Sequence, residues 1–70
     1  MKFNSYLFKK DLITKRLIDN NLSMQKAGEE IGISKATLSR IEHGKLPDIE
    51  TFFKVVTWLG TSLDKYTIKS

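Results

Sequence analysis

An all-α fold is what this sequence predicts, and three observations carry the prediction. Apolar residues recur at helical spacing along the chain, first in Phe8, Leu12, Ile13, Leu17 and Ile18 and later in Ile49, Phe52, Phe53, Val56 and Leu59. Ser23, Ser34 and Asp48 stand where helix N-caps belong, each ahead of such a stretch. Gly32, Gly44 and Gly60 each close one, where a residue with positive φ is usual.

The expected architecture is five helices and no strand. Helix one covers about Ser5 to Asn20, and Asn20 and Asn21 can take the left-handed conformation that ends it. Helix two runs from Ser23 to Ile31 and helix three from Ser34 to His43. Pro47 and Asp48 open helix four, with Asp48 as its cap, and Gly60 stops it. Thr61 or Ser62 caps a short fifth helix holding Leu63 and Tyr66, and the tail 67–70 is expected to fray. Phe52, Phe53, Val55 and Val56 are read as core. With no linker, repeat or low-complexity segment, residues 1–70 read as a single domain.

The richest stretch is 23–44, SMQKAGEEIGISKATLSRIEHG. It reads as two short helices joined by a tight turn. Ala27 and Ile31 make an i, i+4 apolar pair on the first, Leu38 and Ile41 an i, i+3 pair on the second, and Ile33 can plug the gap between them. Gly28 is the odd residue. Glycine inside a helix costs roughly 1 kcal/mol against alanine, so a close approach of backbone is expected there, as when a second helix crosses steeply in a helix-turn-helix. If its φ is helical, Gly28→Ala is expected to be tolerated or mildly stabilising, and Gly28→Leu to overpack. A plain helical hairpin is the competing reading.

Composition narrows the function. Seventy residues build a small core. The absence of cysteine suits a reducing compartment, and one histidine cannot form a metal site alone. No apolar run reaches membrane-spanning or signal-peptide length, so a soluble cytoplasmic protein is expected. The net charge of +4 is uneven: residues 1–22 carry +3, residues 23–46 carry +1, and residues 47–70 balance. A basic face on the motif and the helix before it would attract phosphate. With no nucleophile arrangement, phosphate loop or metal spacing, an enzyme is not expected, nor a cofactor or small-molecule ligand.

Through Leu22-Ser23, Ile31-Gly32-Ile33-Ser34, Leu38-Ser39-Arg40-Ile41-Glu42, Gly44-Lys45, Pro47 and Leu59-Gly60 to Leu63-Asp64, the chain resembles the Cro / phage-repressor (xenobiotic-response-element) family of helix-turn-helix proteins. The match runs from about Leu12 to Tyr66. It implies a compact five-helix, lambda-repressor-like domain with helix three in the major groove of double-stranded DNA. Departures from the family pattern are Met24 where glutamine often binds a phosphate (Gln25 follows it), Ala27-Gly28 in place of Leu-Ala, and Trp58 at a position that is usually small.

The resemblance assigns base reading to Lys35, Ala36, Ser39 and Arg40, on the face opposite Leu38 and Ile41. Lys35 or Arg40 can donate to guanine O6 and N7, Ala36 can touch a thymine methyl, and Ser39 can read either partner. Phosphate contacts are expected from the helix N-termini at Ser23 and Ser34 and from Gln25, Thr37, His43 and Lys45. For His43 a role as C-terminal cap is the alternative. Glu42 in the family pairs with a basic residue on helix one, and Arg16 is the nearest candidate. Trp58, Leu63, Tyr66 and Ile68 are expected to form an exposed apolar patch for homodimerisation, with Trp58 as a lid over the core the alternative. The implied function is a sequence-specific transcriptional regulator acting as a dimeric repressor. The alternative is an antitoxin-like protein-binding module that also binds its own promoter.

Overall fold

The computed structural model describes residues 2–68. Helix α1 (Ser5–Ile13) runs directly into a π-helical turn over Thr14–Asp19, followed by α2 (Met24–Ile31), α3 (Lys35–Glu42) and α4 (Ile49–Leu59). A 3-10 turn (Leu63–Tyr66) comes next. The C-terminal strand β2 (Thr67–Ile68) then pairs antiparallel with the N-terminal strand β1 (Lys2–Phe3), Lys2 opposite Ile68 and Phe3 opposite Thr67.

The helix boundaries follow local chemistry. The side chains of Ser23, Ser34 and Asp48 accept the backbone N–H groups of Lys26, Thr37 and Thr51 at 3.1, 3.1 and 2.8 Å. Each thereby satisfies a donor that the first helical turn leaves free. Asn4 does the same for α1, accepting Leu7 N–H at 3.1 Å. Gly32 closes α2 with φ +92°, and Asn21 ends the first helix with φ +50°.

One core forms where the four helices meet. Phe8 and Leu12 from α1, Ala27 and Ile31 from α2, Leu38 and Ile41 from α3, Val55 and Val56 from α4, and Tyr66 are all buried. Phe52 and Leu59 pack against this core. The inward face of α4 is thus Phe52, Val55, Val56 and Leu59, at i, i+3, i+4, i+7.

Three expectations about the chain ends are corrected. Instead of a fifth helix there is one 3-10 turn, and the expected absence of strands gives way to the β1–β2 pair. Residues 67 and 68 are in that pair rather than frayed; residues 69 and 70 lie outside the described residues. The cause is Tyr66. Its ring is buried against Phe8 (centroids 5.3 Å apart), and its carbonyl accepts Asn4 N–H at 2.6 Å, which draws the two chain ends together.

Helix one ends in a wider turn. Asn20 N–H donates to the Lys15 carbonyl at 3.1 Å, one residue beyond the α-helical partner, and the Arg16 carbonyl is left to accept Leu22 N–H at 2.7 Å. The face begun by Phe8 and Leu12 arrives at Arg16, so Leu17 and Ile18 turn out to solvent. Phe53 and Ile49 are exposed for the same kind of reason, since Val55 takes the inward position on α4.

Candidate nucleic-acid interface

The pairing of α2 with α3 begins at Gly28. A Cβ placed there would lie 2.8 Å from the Ile33 carbonyl oxygen and 3.6 Å from Lys35 N. The close approach read from the sequence is therefore present, but the approaching group is the turn backbone rather than the side of a crossing helix. The Gly28 carbonyl accepts from both Gly32 and Ile33 N–H, at 2.8 and 2.9 Å, which fixes the turn against α2. The expectation that alanine fits at position 28 is overturned, because a backbone carbonyl cannot swing aside as a side chain does.

A second constraint fixes the other end of α3. The Arg16 guanidinium forks onto Glu42, with Nε–Oε2 at 2.6 Å and Nη2–Oε1 at 2.8 Å, and its Nη1 donates to the Leu22 carbonyl at 3.0 Å. Arg16 is only 9% exposed. Planar bidentate geometry of this kind suits arginine and not lysine. The pair holds the C-terminal end of α3 to the first helix, and the π turn presents Arg16 to it. Glu42 is thus a structural partner and not a solvated charge.

With Leu38 and Ile41 buried, α3 turns Lys35, Ala36 and Arg40 to solvent, with Ser39 half-buried beside them. The four side chains expected to read bases therefore share one outward face. Thr37 borders it, its hydroxyl 2.8 Å from that of Ser34. His43 is the C-cap of α3, with Nδ1 2.7 Å from the Ser39 carbonyl. Only a protonated nitrogen can donate there, so Nδ1 carries the hydrogen and Nε2 faces outward. That is the capping arrangement, and in the neutral ring it leaves Nε2 as a lone-pair acceptor, which a phosphate oxygen does not satisfy.

Thr37, Arg40 and Lys45 line one hollow together with Leu46, Pro47, Asp48 and Thr51. Two cations and two hydroxyls there face the N-terminus of α4. Asp48 already caps that terminus, and the hydrogen bonds from Thr51 hold its carboxyl below the usual carboxylate range. Its negative charge selects the Arg40 and Lys45 side of the hollow for an anion. Asp48 was expected as the cap of α4, but neither its place in this hollow nor that of Thr51 was read from the sequence, although the Pro-Asp start of α4 signalled the helix end that brings them there. Ser23 and Gln25 are exposed at the N-terminus of α2, outside this hollow. Among the described residues, no group of three or more His, Cys, Asp or Glu side chains is placed to hold a metal ion, and no helix is long and apolar enough to cross a membrane.

The expected dimerisation patch is partly dismantled. Tyr66 is 0% exposed, because Asp11 accepts its hydroxyl proton at 2.9 Å and Thr61 Oγ1 lies 3.1 Å away, so the polar tip is satisfied inside. Trp58 is half-buried. Its Nε1 donates to Glu30 at 3.2 Å, Lys15 Nζ lies 4.7 Å above its ring, and Lys15 also donates to the Trp58 carbonyl. It bridges the π turn, α2 and α4, as the lid alternative required. Leu63 and Ile68 remain exposed. The sequence reading missed another apolar hollow, lined by Phe3, Leu46, Pro47, Ile49 and Phe52. Phe3 enters it through the strand pair, which no local pattern announced.

The family model described as helix-turn-helix matches residues 12–66 of the chain. No curated protein and no solved structure matches it.

Proposed function

The chain belongs to the Cro / phage-repressor (xenobiotic-response-element) family of DNA-binding helix-turn-helix regulators, and from that premise we propose that it is a sequence-specific repressor reading the major groove with α3. The supporting observation is the outward face of α3, where Lys35, Ala36, Ser39 and Arg40 stand together next to the Thr37–Arg40–Lys45 hollow. In this reading α2 and α3 form the helix-turn-helix. Arg40 or Lys35 donates to guanine, and Lys45, Thr37 and the N-termini at Ser23 and Ser34, with Gln25, hold phosphates, while His43 keeps to its role as C-cap. The Gly28 packing and the Arg16–Glu42 fork keep α3 rigid, so side-chain reach is not lost to helix motion.

Selection of bound sites from random duplex DNA at stated salt tests the proposal. Arg40→Ala should then cost about 1–3 kcal/mol on the selected site and relax preference at one base step. Equal losses on selected and random duplex would remove Arg40 from base reading.

A second reading, an antitoxin-like module that also binds its own promoter, is favoured by one observation. The hollow of Phe3, Leu46, Pro47, Ile49 and Phe52, with Phe53 exposed nearby on α4, is apolar ground for another protein. A gene for a small toxin next to this one would support it.

A further inference from the structure

The hollow at Lys45 does not end there. Lys45 also lines a second hollow, with Ser5, Tyr6 and Lys9 of α1 and Ile41 and Gly44 of the α3 end. Tyr6 and Lys9 in turn line a third, with Lys10, Ile13 and Thr14. A continuous path of concave surface therefore leaves the recognition face at Arg40, crosses Lys45, and runs along the first helix to Lys10.

Its chemistry is of one kind. Among the described residues no acidic side chain lines the second or third hollow. Lys9, Lys10 and Lys45 form no ion pair among the described residues, whereas Arg16, Lys54 and Lys65 do. Ammonium groups gathered without a paired carboxylate repel one another, which a folded chain tolerates most readily where an anion neutralises them. Tyr6 is 74% exposed between them. Its ring gives the lysine stems an apolar surface to lie on, and its hydroxyl is a further donor for a phosphate oxygen.

We propose that Tyr6, Lys9 and Lys10 continue the phosphate contacts begun at Lys45, so that α1 holds the DNA backbone next to the segment read by α3. The inference rests on the reading of α3 as the groove-reading helix and extends its footprint. Duplex DNA is the occupant because the path is continuous with the Arg40 hollow and, through the second and third hollows, is lined by cations with no acidic side chain. Contacts of this kind add affinity without sequence preference.

The test is the salt dependence of binding to a duplex recovered by site selection and to a random-sequence duplex, with helicity and melting checked for each variant. Lys9→Gln and Lys10→Gln should each flatten the slope of log affinity against log salt by about one unit. Each should weaken both duplexes about tenfold at ~0.1 M salt. Lys9→Arg should restore the slope. Lys54→Gln, which removes the same charge from a lysine outside the path, should change the slope by far less. An unchanged slope in both α1 variants overturns the proposal, as does an equal effect from Lys54→Gln, which would reduce it to net charge. If these variants behave as the parent while Arg40→Ala still loses the selected site, only the α1 contact falls. If the parent binds neither duplex in a salt-dependent way, the DNA reading falls with it.

Discussion

Gly28 shows how little room the α2–α3 turn leaves. A methyl group at this position meets the Ile33 carbonyl at 2.8 Å, and that carbonyl is fixed by the turn, whose Ile33 N–H is itself bonded to Gly28 O. Alanine would gain roughly 1 kcal/mol of helix propensity, but displacing the turn costs about 1–3 kcal/mol, as overpacking does. Gly28→Ala should therefore melt a few degrees below the parent and Gly28→Leu far lower. An alanine variant that melts above the parent would mean that the turn yields freely. The sequence alone exposed the tension at Gly28 because a mid-helix glycine breaks a local rule. It could not name the opposing atom, whose position depends on the turn. The same division holds at other residues. Ser23, Ser34 and Asp48 were legible as caps because a cap acts on its own helix. Glu42 could be matched to Arg16 only through the family resemblance, and its partner lies 26 residues away. Tyr66 and Phe53 were misplaced, because burial there depends on Asp11, Thr61 and Val55 from elsewhere in the fold.

Among the elements, the C-terminal 3-10 turn and strand pair are the least local and were the least visible. Three helices could be bounded from capping residues and glycines. The π turn over Thr14–Asp19 leaves no comparable mark, and a two-residue strand is too short for alternation to register. What closes this end of the molecule is a polar cluster: Asp11 accepts from Tyr66 at 2.9 Å and pairs with Lys65 at 2.8 Å. Burial pushes the Asp11 carboxyl up, but the Lys65 and Tyr66 hydrogen bonds and the Lys65 charge outweigh it and hold the group below its ordinary 3.8. The Asp11 carboxylate, in turn, holds the Lys65 ammonium above its usual range. Asp11 takes up its proton less readily in the folded chain than in the unfolded one. Its contribution is therefore complete above roughly pH 5 and fades as the pH falls through the lowered value. Asp11→Asn should cost on the order of 1 kcal/mol at neutral pH. Melts of parent and variant should converge only as the pH falls below the ordinary 3.8 and through the lowered value. A gap that stays constant with pH would show that the carboxylate charge contributes nothing to the closure.

For the whole molecule, the open question of function is how one small reading head finds a single site. In the proposed reading one α3 would cover only part of a helical turn of DNA, and an operator read by two copies would double the contacts at one stroke. We expect two-fold binding, with half-sites about one helical turn apart, roughly 34 Å. The C-terminal surface around Leu63 and Ile68 is the expected contact, since both side chains are exposed while Tyr66 is committed to the core and Trp58 to Glu30 and Lys15. On this expectation so small an apolar contact would make a weak dimer in free solution, and DNA would drive assembly by mass action. Leu63→Glu should leave helicity and binding to an isolated half-site nearly unchanged, because Leu63 lies outside the packed core. On the full operator it should abolish cooperativity and lower affinity by tenfold or more, on the order of 1.4 kcal/mol. Band shifts across a protein titration read both quantities. A single shifted species holding one chain per full operator at saturation would end the dimer reading, and undiminished cooperativity in Leu63→Glu would move the contact to another surface.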